Sequence, residues 1–317
     1  MDSGHDGGGP PRRTAPPAAD GSIVVSNVVT SEQTWRVPPV EVVHRSRYVE
    51  VDGMRTHYLE AGEGPAVVLL HSGEFGGGAE TSWEYLVPAL ARHFRVIAPD
   101  WLGFGRTAKI HDFDGKRERM LSHMVRFIQL MALDKAHFVG NSMGATYLLQ
   151  MAAERPCRLP IDRLVAISGG GFIPDNEERR RLLDYDGSEE AMAGLLAAIF
   201  EDPVWYQDRE YVRRRHALSV APGAWEAIAA ARFRSPQAPV RTEFGGADRT
   251  PYGNITAKTL IMAGDRDRLR LPGFAVDLAA RIPGARAAVL ANAGHCPNIE
   301  RAEEVGRLIV EFLTADA

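Results

Sequence analysis

The chain has 317 residues, and its 37 Lys and Arg against 41 Asp and Glu give a formal net charge of −4. Proteins that bind nucleic acid by neutralising phosphates are usually basic, so this balance argues against a nucleic-acid partner. No apolar run approaches the roughly 18 residues that a membrane-spanning helix needs, which argues against an integral membrane protein. The content of 45 % hydrophobic and 25 % charged residues is that of an ordinary globular protein.

The first segment, residues 1–20, is rich in Gly and Pro and nearly free of large apolar side chains. Such a composition buries too little surface to offset the entropy of ordering, so we expect residues 1–38 to form a disordered or extended tail. The segment lacks the basic start and the apolar run of a secretory signal. The two cysteines, Cys157 and Cys296, are too few for a disulfide scaffold and lack metal-ligand spacing. We therefore expect a cytoplasmic protein without a metal site.

Buried strands and amphipathic helices alternate along the next part of the chain. A hairpin is predicted at Asp52-Gly53, which lies between two short strand-like segments. Five later apolar runs predict strands that are buried on both faces, at residues 66–70, 94–98, 136–140, 164–167 and 259–263. In the clearest helix, Met120, Met124 and Ile128 share one face, which we interpret as core packing. The alternation predicts an α/β protein with a mostly parallel central sheet flanked by helices.

The alternation is interrupted between residues 172 and 248. Helical segments occur there at residues 189–200 and 209–219, without a convincing strand, and the strand–helix pattern resumes afterwards. We therefore predict a core built from residues 39–171 and 249–317, with a helical cap at residues 172–248 over one end of the sheet.

The strongest motif is Gly140-Asn141-Ser142-Met143-Gly144, which matches G-x-S-x-G. A predicted strand precedes it and a helix-compatible run follows, which is the setting in which this motif forms a nucleophile elbow. The serine is then held in a sharp strand-to-helix turn with its hydroxyl exposed. The amide of Met143 points into the same space at a helix N-terminus.

A serine hydroxyl needs a base to take its proton, and the base needs a carboxylate partner. In this type of fold the order along the chain is serine, acid, histidine. Asp265 and Asp267 follow the predicted strand at residues 259–263, and His295 follows another at residues 287–290. Because ligands bind at the carboxyl ends of strands in open α/β sheets, these side chains are expected near the serine. The spacing leaves both aspartates open as the acid.

With these motifs the chain resembles the α/β-hydrolase superfamily over roughly residues 48–313. More narrowly, it resembles the meta-cleavage-product hydrolases, which cut a carbon–carbon bond in dienol ketones from aromatic-ring breakdown. The elbow, including Asn141 before the serine, looks very like that of this group. The resemblance implies a catalytic triad in which a G-x-x-D stretch selects Asp267 as the acid. A G-H-x-x-x-x-E stretch, ending here at Glu300, marks His295 as the base.

Donors for a developing oxyanion are expected from two places. The elbow offers the amide of Met143, and the loop after the strand at residues 66–70 reads H-S-G-E-F-G-G-G from His71. In the family the second donor lies two residues after this histidine, which implies Gly73. Ser72 departs from the glycine that is usual in the superfamily. The glycines of this loop do not fit the G-x-G-x-x-G pattern of dinucleotide sites, so no cofactor is expected.

Substrate contacts are implied by position rather than by a strong motif. The family grips the carboxylate of its substrate with an arginine on a cap helix. Three consecutive arginines lie in the predicted helix at residues 209–219, and matching Pro222 to a proline of the family selects Arg214. A solvated basic face is the alternative for this run. Neighbours of the triad and the oxyanion loop complete the predicted substrate contacts: Asn141, Ser72 and Cys296.

Three features depart from the carbon–carbon hydrolases. Cys296 stands where the family has a Trp, Ala145 replaces a glycine, and residues 100–105 look more like esterases and lactonases. We predict a cofactor-independent serine hydrolase acting on a small-molecule carbonyl substrate, with carbon–carbon cleavage of a vinylogous diketone as the leading reaction. A carboxylesterase, lactonase or thioesterase of a biosynthetic pathway is the alternative. A ligand-binding receptor or non-hydrolytic cyclase on the same fold is a third. The oligomeric state, including a homo-oligomer, is left open.

Overall fold

The computed structural model describes Met1, Val24–Val25 and residues 44–230 and 244–315. Of the tail predicted at residues 1–38, all but three residues lie outside the described ranges. Val24–Val25 form the short strand β1. Part of the predicted cap, residues 231–243, also lies outside the described ranges.

A nine-stranded sheet runs through the described part of the chain. The strands after β1 are β2 (Arg45–Val51), β3 (Met54–Ala61), β4 (Ala66–Leu70), β5 (Arg95–Pro99), β6 (Ala136–Asn141), β7 (Ile161–Ile167), β8 (Lys258–Gly264) and β9 (Arg286–Leu290). Their order across the sheet is β1-β9-β8-β7-β6-β4-β5-β3-β2. The pairs β2–β3 and β3–β5 are antiparallel, and the other neighbours are parallel. This confirms the predicted mostly parallel α/β sheet.

The helices lie between the strands and in one insertion. They are α1 (Ala79–Trp83), α2 (Val87–Leu90), α3 (Lys116–Leu130), α4 (Met143–Ala152), α5 (Glu177–Leu183), α6 (Glu189–Ile199), α7 (Val204–Gln207), α8 (Arg209–Ser219), α9 (Ala224–Ala229), α10 (Phe274–Ala279), α11 (Pro297–Glu300) and α12 (Ala302–Thr314). Within the described ranges, no helix has the length and apolarity needed to cross a bilayer.

Apolar side chains on both faces of the sheet explain the continuous hydrophobic runs of its strands. Successive side chains of a strand point to opposite faces. In β4, Val68 and Leu70 pack in one buried cluster with side chains of α3, α4 and α10. Val67 and Leu69 pack in a second cluster with side chains of α1, α2 and α12. The methionine face of α3 belongs to the first cluster, so its interpretation as core packing is confirmed.

Helices α5 to α9 lie between β7 and β8 and pack around their own apolar cluster. Within it, the rings of Phe200, Trp205 and Tyr211 contact one another. Phe75, from the loop after β4, and Cys296, next to His295, belong to the same cluster. The insertion therefore packs directly against the loops that carry the predicted site, at the carboxyl ends of the parallel strands.

Candidate active site

Ser142 occupies the sharp turn between β6 and α4. Its backbone has φ 52° and ψ −111°, a region that non-glycine residues rarely adopt. Two glycines make this turn sterically feasible. A Cβ at Gly140 would lie 2.6 Å from the amide nitrogen of Ala145, and one at Gly144 would collide with the carbonyl oxygen of Leu70. The local sequence thus forces the Ser142 hydroxyl out of the strand and over the end of the sheet.

The structure brings together the three residues of the predicted triad. Ser142 Oγ lies 2.7 Å from Nε2 of His295. Nδ1 of His295 lies 2.8 Å from Oδ2 and 3.0 Å from Oδ1 of Asp267. The side chains of His295 and Asp267 are only 4 % and 2 % exposed. The serine follows β6, the aspartate follows β8 and the histidine follows β9, so the parallel sheet brings distant parts of the chain to one edge.

Asp267, and not Asp265, is the partner of His295. Burial of Asp267 disfavours its charge, but the interactions with His295 and with Arg270 outweigh burial and hold its pKa below the ordinary value. Asp267 therefore stays ionised and can orient the imidazole. Asp265 is more exposed and accepts a long hydrogen bond of 3.4 Å from the amide of Ala293. Of the two aspartates that the spacing left open, the geometry therefore favours Asp267 as the acid.

Gly73, in the loop after β4, lies against Met143, the residue that follows the serine. A Cβ at Gly73 would lie 2.6 Å from Sδ of Met143, so a larger residue there would have to displace the Met143 side chain. Neither amide donates a hydrogen bond to another of the described residues. The Met143 amide also lies at the N-terminus of α4, where the helix dipole favours negative charge. The arrangement can stabilise an anion that develops next to Ser142.

His71 fixes the loop that carries Gly73. Burial lowers the pKa of His71, so its imidazole is neutral. Its Nδ1 donates to the carbonyl oxygen of Ser72 at 2.6 Å, and its Nε2 accepts from the amide of Trp101 at 2.9 Å. The buried hydroxyl of Ser72 faces the hydroxyl of Ser82 at 3.4 Å. Contact of Ser72 with substrate stays a prediction.

Asn141 and Cys296 connect the elbow to the histidine loop. The Asn141 amide group donates to the carbonyl oxygens of Ile167 at 3.3 Å and of His295 at 3.4 Å. The thiol of Cys296 donates to Oδ1 of Asn141 at 3.7 Å. Burial raises the pKa of this thiol, so it remains protonated. The structure thus uses these two predicted substrate contacts to hold the elbow and the histidine loop together.

Two neighbouring arginines on α8 pair with different carboxylates. Arg214, the predicted substrate-binding arginine, makes a bidentate ion pair with Glu84 at 2.5 and 2.6 Å. The Arg214 side chain is 41 % exposed. Its neighbour Arg215 is fully buried and donates to Oε1 of Glu74, in the loop after β4, at 2.5 Å. Consecutive helical residues point about 100° apart, so these two arginines face different surroundings. Substrate binding by Arg214 stays a prediction.

Arg215 and Glu74 are the residues that sequence reasoning missed at this site. The helical period could have indicated that Arg215 faces inward. It is spaced four residues from Tyr211 and from Ser219, and all three lie on the buried face of α8. Burial disfavours the charge of Glu74, but the pairing with Arg215 outweighs burial and lowers its pKa. Both partners are therefore charged, and the pair ties the cap to the oxyanion loop.

Replacing Arg215 with Met should lower the free energy of unfolding by about 3–5 kcal/mol, because Glu74 is left buried without its partner. The matched change at the partly exposed Arg214 should cost about 0–1 kcal/mol. Chemical denaturation of both variants measures the difference. Equal small losses would contradict the assignment of Arg215 as the inward-facing arginine.

A second serine–histidine–aspartate chain lies at the far edge of the sheet. Ser46 Oγ is 2.6 Å from Nε2 of His57, and Nδ1 of His57 is 2.7 Å from Oδ2 of Asp100. Asp100 also accepts from the amides of Ala79 at 2.6 Å and Arg106 at 2.7 Å, so it fixes two loops. Ser46 lies in the regular strand β2 with ordinary backbone angles. It lacks the elbow and offers a matched control for Ser142.

A strained serine, a buried histidine and an ionised carboxylate, joined in one hydrogen-bonded chain above a parallel sheet, define an α/β-hydrolase-fold serine hydrolase. The chain belongs to the alpha/beta hydrolase family, whose model matches residues 67–308.

Relatives of the chain include hydrolases named for dienoate substrates. It is 30 % identical to the 2-hydroxy-6-oxo-6-(2'-aminophenyl)hexa-2,4-dienoic acid hydrolase of Metapseudomonas resinovorans, over 87 % of this chain and 93 % of that one. It is 31 % identical to the 2-hydroxy-6-oxo-6-phenylhexa-2,4-dienoate hydrolase of Comamonas testosteroni, over 81 % and 90 % of the two chains. A mutant of the meta-cleavage product hydrolase CumD from Pseudomonas fluorescens IP01, complexed with acetates, superposes with a TM-score of 0.74 at 28 % identity, over 84 % and 97 % of the chains.

Proposed function

We propose that the protein hydrolyses a carbon–carbon bond next to a ketone in a vinylogous diketone of the meta-cleavage-product type. The continuous hydrogen-bonded chain from Ser142 through His295 to Asp267 carries the proposal. Relatives named for this reaction match over most of their length, which supports the choice of substrate class. The substrate is a small carbonyl compound, and the reaction needs no cofactor.

His295 is the general base in this mechanism. It takes a proton from the Ser142 hydroxyl, or from a water in the same place, as the oxygen attacks the ketone carbonyl. The amides of Gly73 and Met143 receive the charge that develops on the carbonyl oxygen. Asp267 holds the imidazole in the required tautomer and stabilises the imidazolium that forms.

The carbon–carbon bond then breaks because its electron pair can delocalise. This requires the keto tautomer, in which the dienol proton has moved to the carbon next to the ketone. The pair then passes into the conjugated enone, and the oxygen of the resulting dienolate accepts the proton from His295. If Ser142 is the attacking group, an acyl-enzyme remains, and water activated by His295 releases the acid. In sum, one substrate and one water give a carboxylic acid and a dienol fragment.

Hydrolysis of a neutral ester or lactone is the second candidate. It is favoured by Glu74, which already pairs with the buried Arg215 and neutralises its charge. A substrate carboxylate at this position would have to compete with Glu74, whereas a neutral substrate would not. The triad and the oxyanion amides serve both reactions in the same way.

Turnover of a coloured 2-hydroxy-6-oxo-hexa-2,4-dienoate can be measured as the decrease in its visible absorbance. This assay tests the choice between the two reactions. We expect kcat/KM for this compound to exceed that for simple aryl esters and lactones. Efficient turnover of the esters with none of the dienol ketone would transfer the proposal to the second candidate.

We also propose the cytoplasm as the compartment. The support is the cysteine usage, because Cys157 and Cys296 are both free thiols, as expected of a protein kept in a reducing environment.

A further inference from the structure

Glu300 places a buried carboxylate behind the loop that carries His295, which is called the histidine loop below. It is the last residue of α11 and is 8 % exposed. Its Oε2 accepts from the amide of Gly294, next to His295, at 2.6 Å. Its Oε1 accepts from the amides of Glu201 and Asp202, just after α6 in the cap, at 2.7 and 3.0 Å. One carboxylate thus joins the histidine loop to the cap.

The histidine loop and the end of α6 fit together closely around this carboxylate. The amide of His295 donates to the carbonyl oxygen of Ile199 at 2.8 Å. A Cβ at Gly294 would lie 2.7 Å from the same oxygen and 2.9 Å from the amide nitrogen of Glu201. The position therefore requires a glycine, and a small displacement of the loop would move the base.

The loop of the catalytic acid is tied to the same end of α6. Arg268, next to Asp267, donates to a carboxylate oxygen of Glu201 at 2.7 Å and to the carbonyl oxygen of Ala197 at 3.0 Å. Both triad loops are thus anchored to one helix end, and Glu300 supplies the anchor on the side of the base.

We propose that Glu300 is a positioning residue for His295. The ionised carboxylate of Glu300 fixes the loop that carries His295 against the cap and so aligns this base with Ser142. This inference rests on the role of Ser142 and His295 in the proposed function, but not on the identity of the substrate. An ionised carboxylate accepts all three amides, whereas a protonated one loses acceptor capacity on one oxygen.

The protonation of Glu300 falls in the neutral range. Burial, together with the charge of Asp202, raises its pKa to about 7 against the lowering effect of the three amide donors. Glu201 faces it from the cap but is paired with Arg268. The thiol of Cys296, on the other side, is held protonated. The anchor therefore weakens as the pH falls below about 7.

Labelling of Ser142 by a fluorophosphonate tests the proposal without any natural substrate. Its rate, followed by mass spectrometry, depends on the alignment of the base. Glu300→Gln mimics the protonated carboxyl, so the wild-type rate should exceed the variant rate about tenfold above pH 8. The two rates should converge below about pH 6, where wild-type Glu300 is itself protonated. The matched control Glu304→Gln, which removes a carboxylate paired with Arg301, should label like the wild type throughout.

A ratio of one at all pH values would overturn the proposal. A reduced rate with a ratio that does not change with pH would also overturn it, since a merely structural role predicts that result. If Glu300→Gln does not fold, Asp202→Asn tests the same proposal. Because the charge of Asp202 raises the pKa of Glu300, its removal should lower that pKa. The fall in labelling rate on the acid side of the pH profile should then occur at lower pH than in the wild type. An unmoved profile would contradict the proposal. A wrong substrate class would appear only in turnover assays and would leave the labelling ratios unchanged.

Discussion

Replacement of Ser142 by Ala is expected to lower kcat by at least about 10³-fold, because no other described group is placed to attack the carbonyl from the elbow. The fold should survive, since the hydroxyl contributes a hydrogen bond to His295 rather than core packing. Steady-state kinetics, together with an unfolding curve for the variant, measure both effects.

Ser46→Ala is the matched control for this experiment. It removes a hydroxyl that is also hydrogen-bonded to a histidine, but one in a regular strand at the far edge of the sheet. We expect kcat to change by less than about twofold, because surface changes away from the site have small effects. Near-normal turnover by Ser142→Ala, or a large loss in Ser46→Ala, would contradict the assignment of the nucleophile.

Asp267→Asn should also have a large effect, lowering kcat by up to about 10⁴-fold. The amide has nearly the same shape, but it can donate to Nδ1 of His295 and so favours the tautomer that cannot take a proton from Ser142. The imidazolium also loses its partner charge. Asp265, two residues earlier in the chain, is more exposed, so Asp265→Asn should have a far smaller effect.

The ratio of kcat values for the two aspartate variants decides the assignment. The unfolding free energies serve as a check that both proteins are folded. If Asp265→Asn were the more damaging change, Asp265 would be the acid, and the contacts of His295 with Asp267 would be a structural pair only.

The architecture was predictable because buried parallel strands leave a strong pattern in sequence. The run at residues 136–140 corresponds to β6, whose side chains are all buried. Continuous apolar segments of this length fit few environments other than the centre of a sheet covered on both faces. The elbow was predictable for a related reason, because its glycines are required by close backbone contacts that any such turn must make.

The details beyond the triad were less predictable, because they depend on contacts between distant segments. A one-residue shift on α8 separates Arg214 at the surface from the buried Arg215, and a run of identical residues hides that shift. Ser72 and Asn141 lie beside the elbow, but their side chains face protein partners that only the fold brings near. Glu300 was visible as part of a motif, yet its link to the cap depends on where α6 ends.

Analysis of the products formed in water enriched in ¹⁸O tests the central claim most directly. Hydrolysis of the dienol ketone by the wild-type protein should give equimolar acid and dienol fragment, with one ¹⁸O atom in the acid carboxylate for each turnover. The Ser142→Ala protein should form these products at least about 10³-fold more slowly. Loss of the substrate colour without the acid fragment, or equally fast cleavage by the variant, would contradict carbon–carbon hydrolysis by this triad.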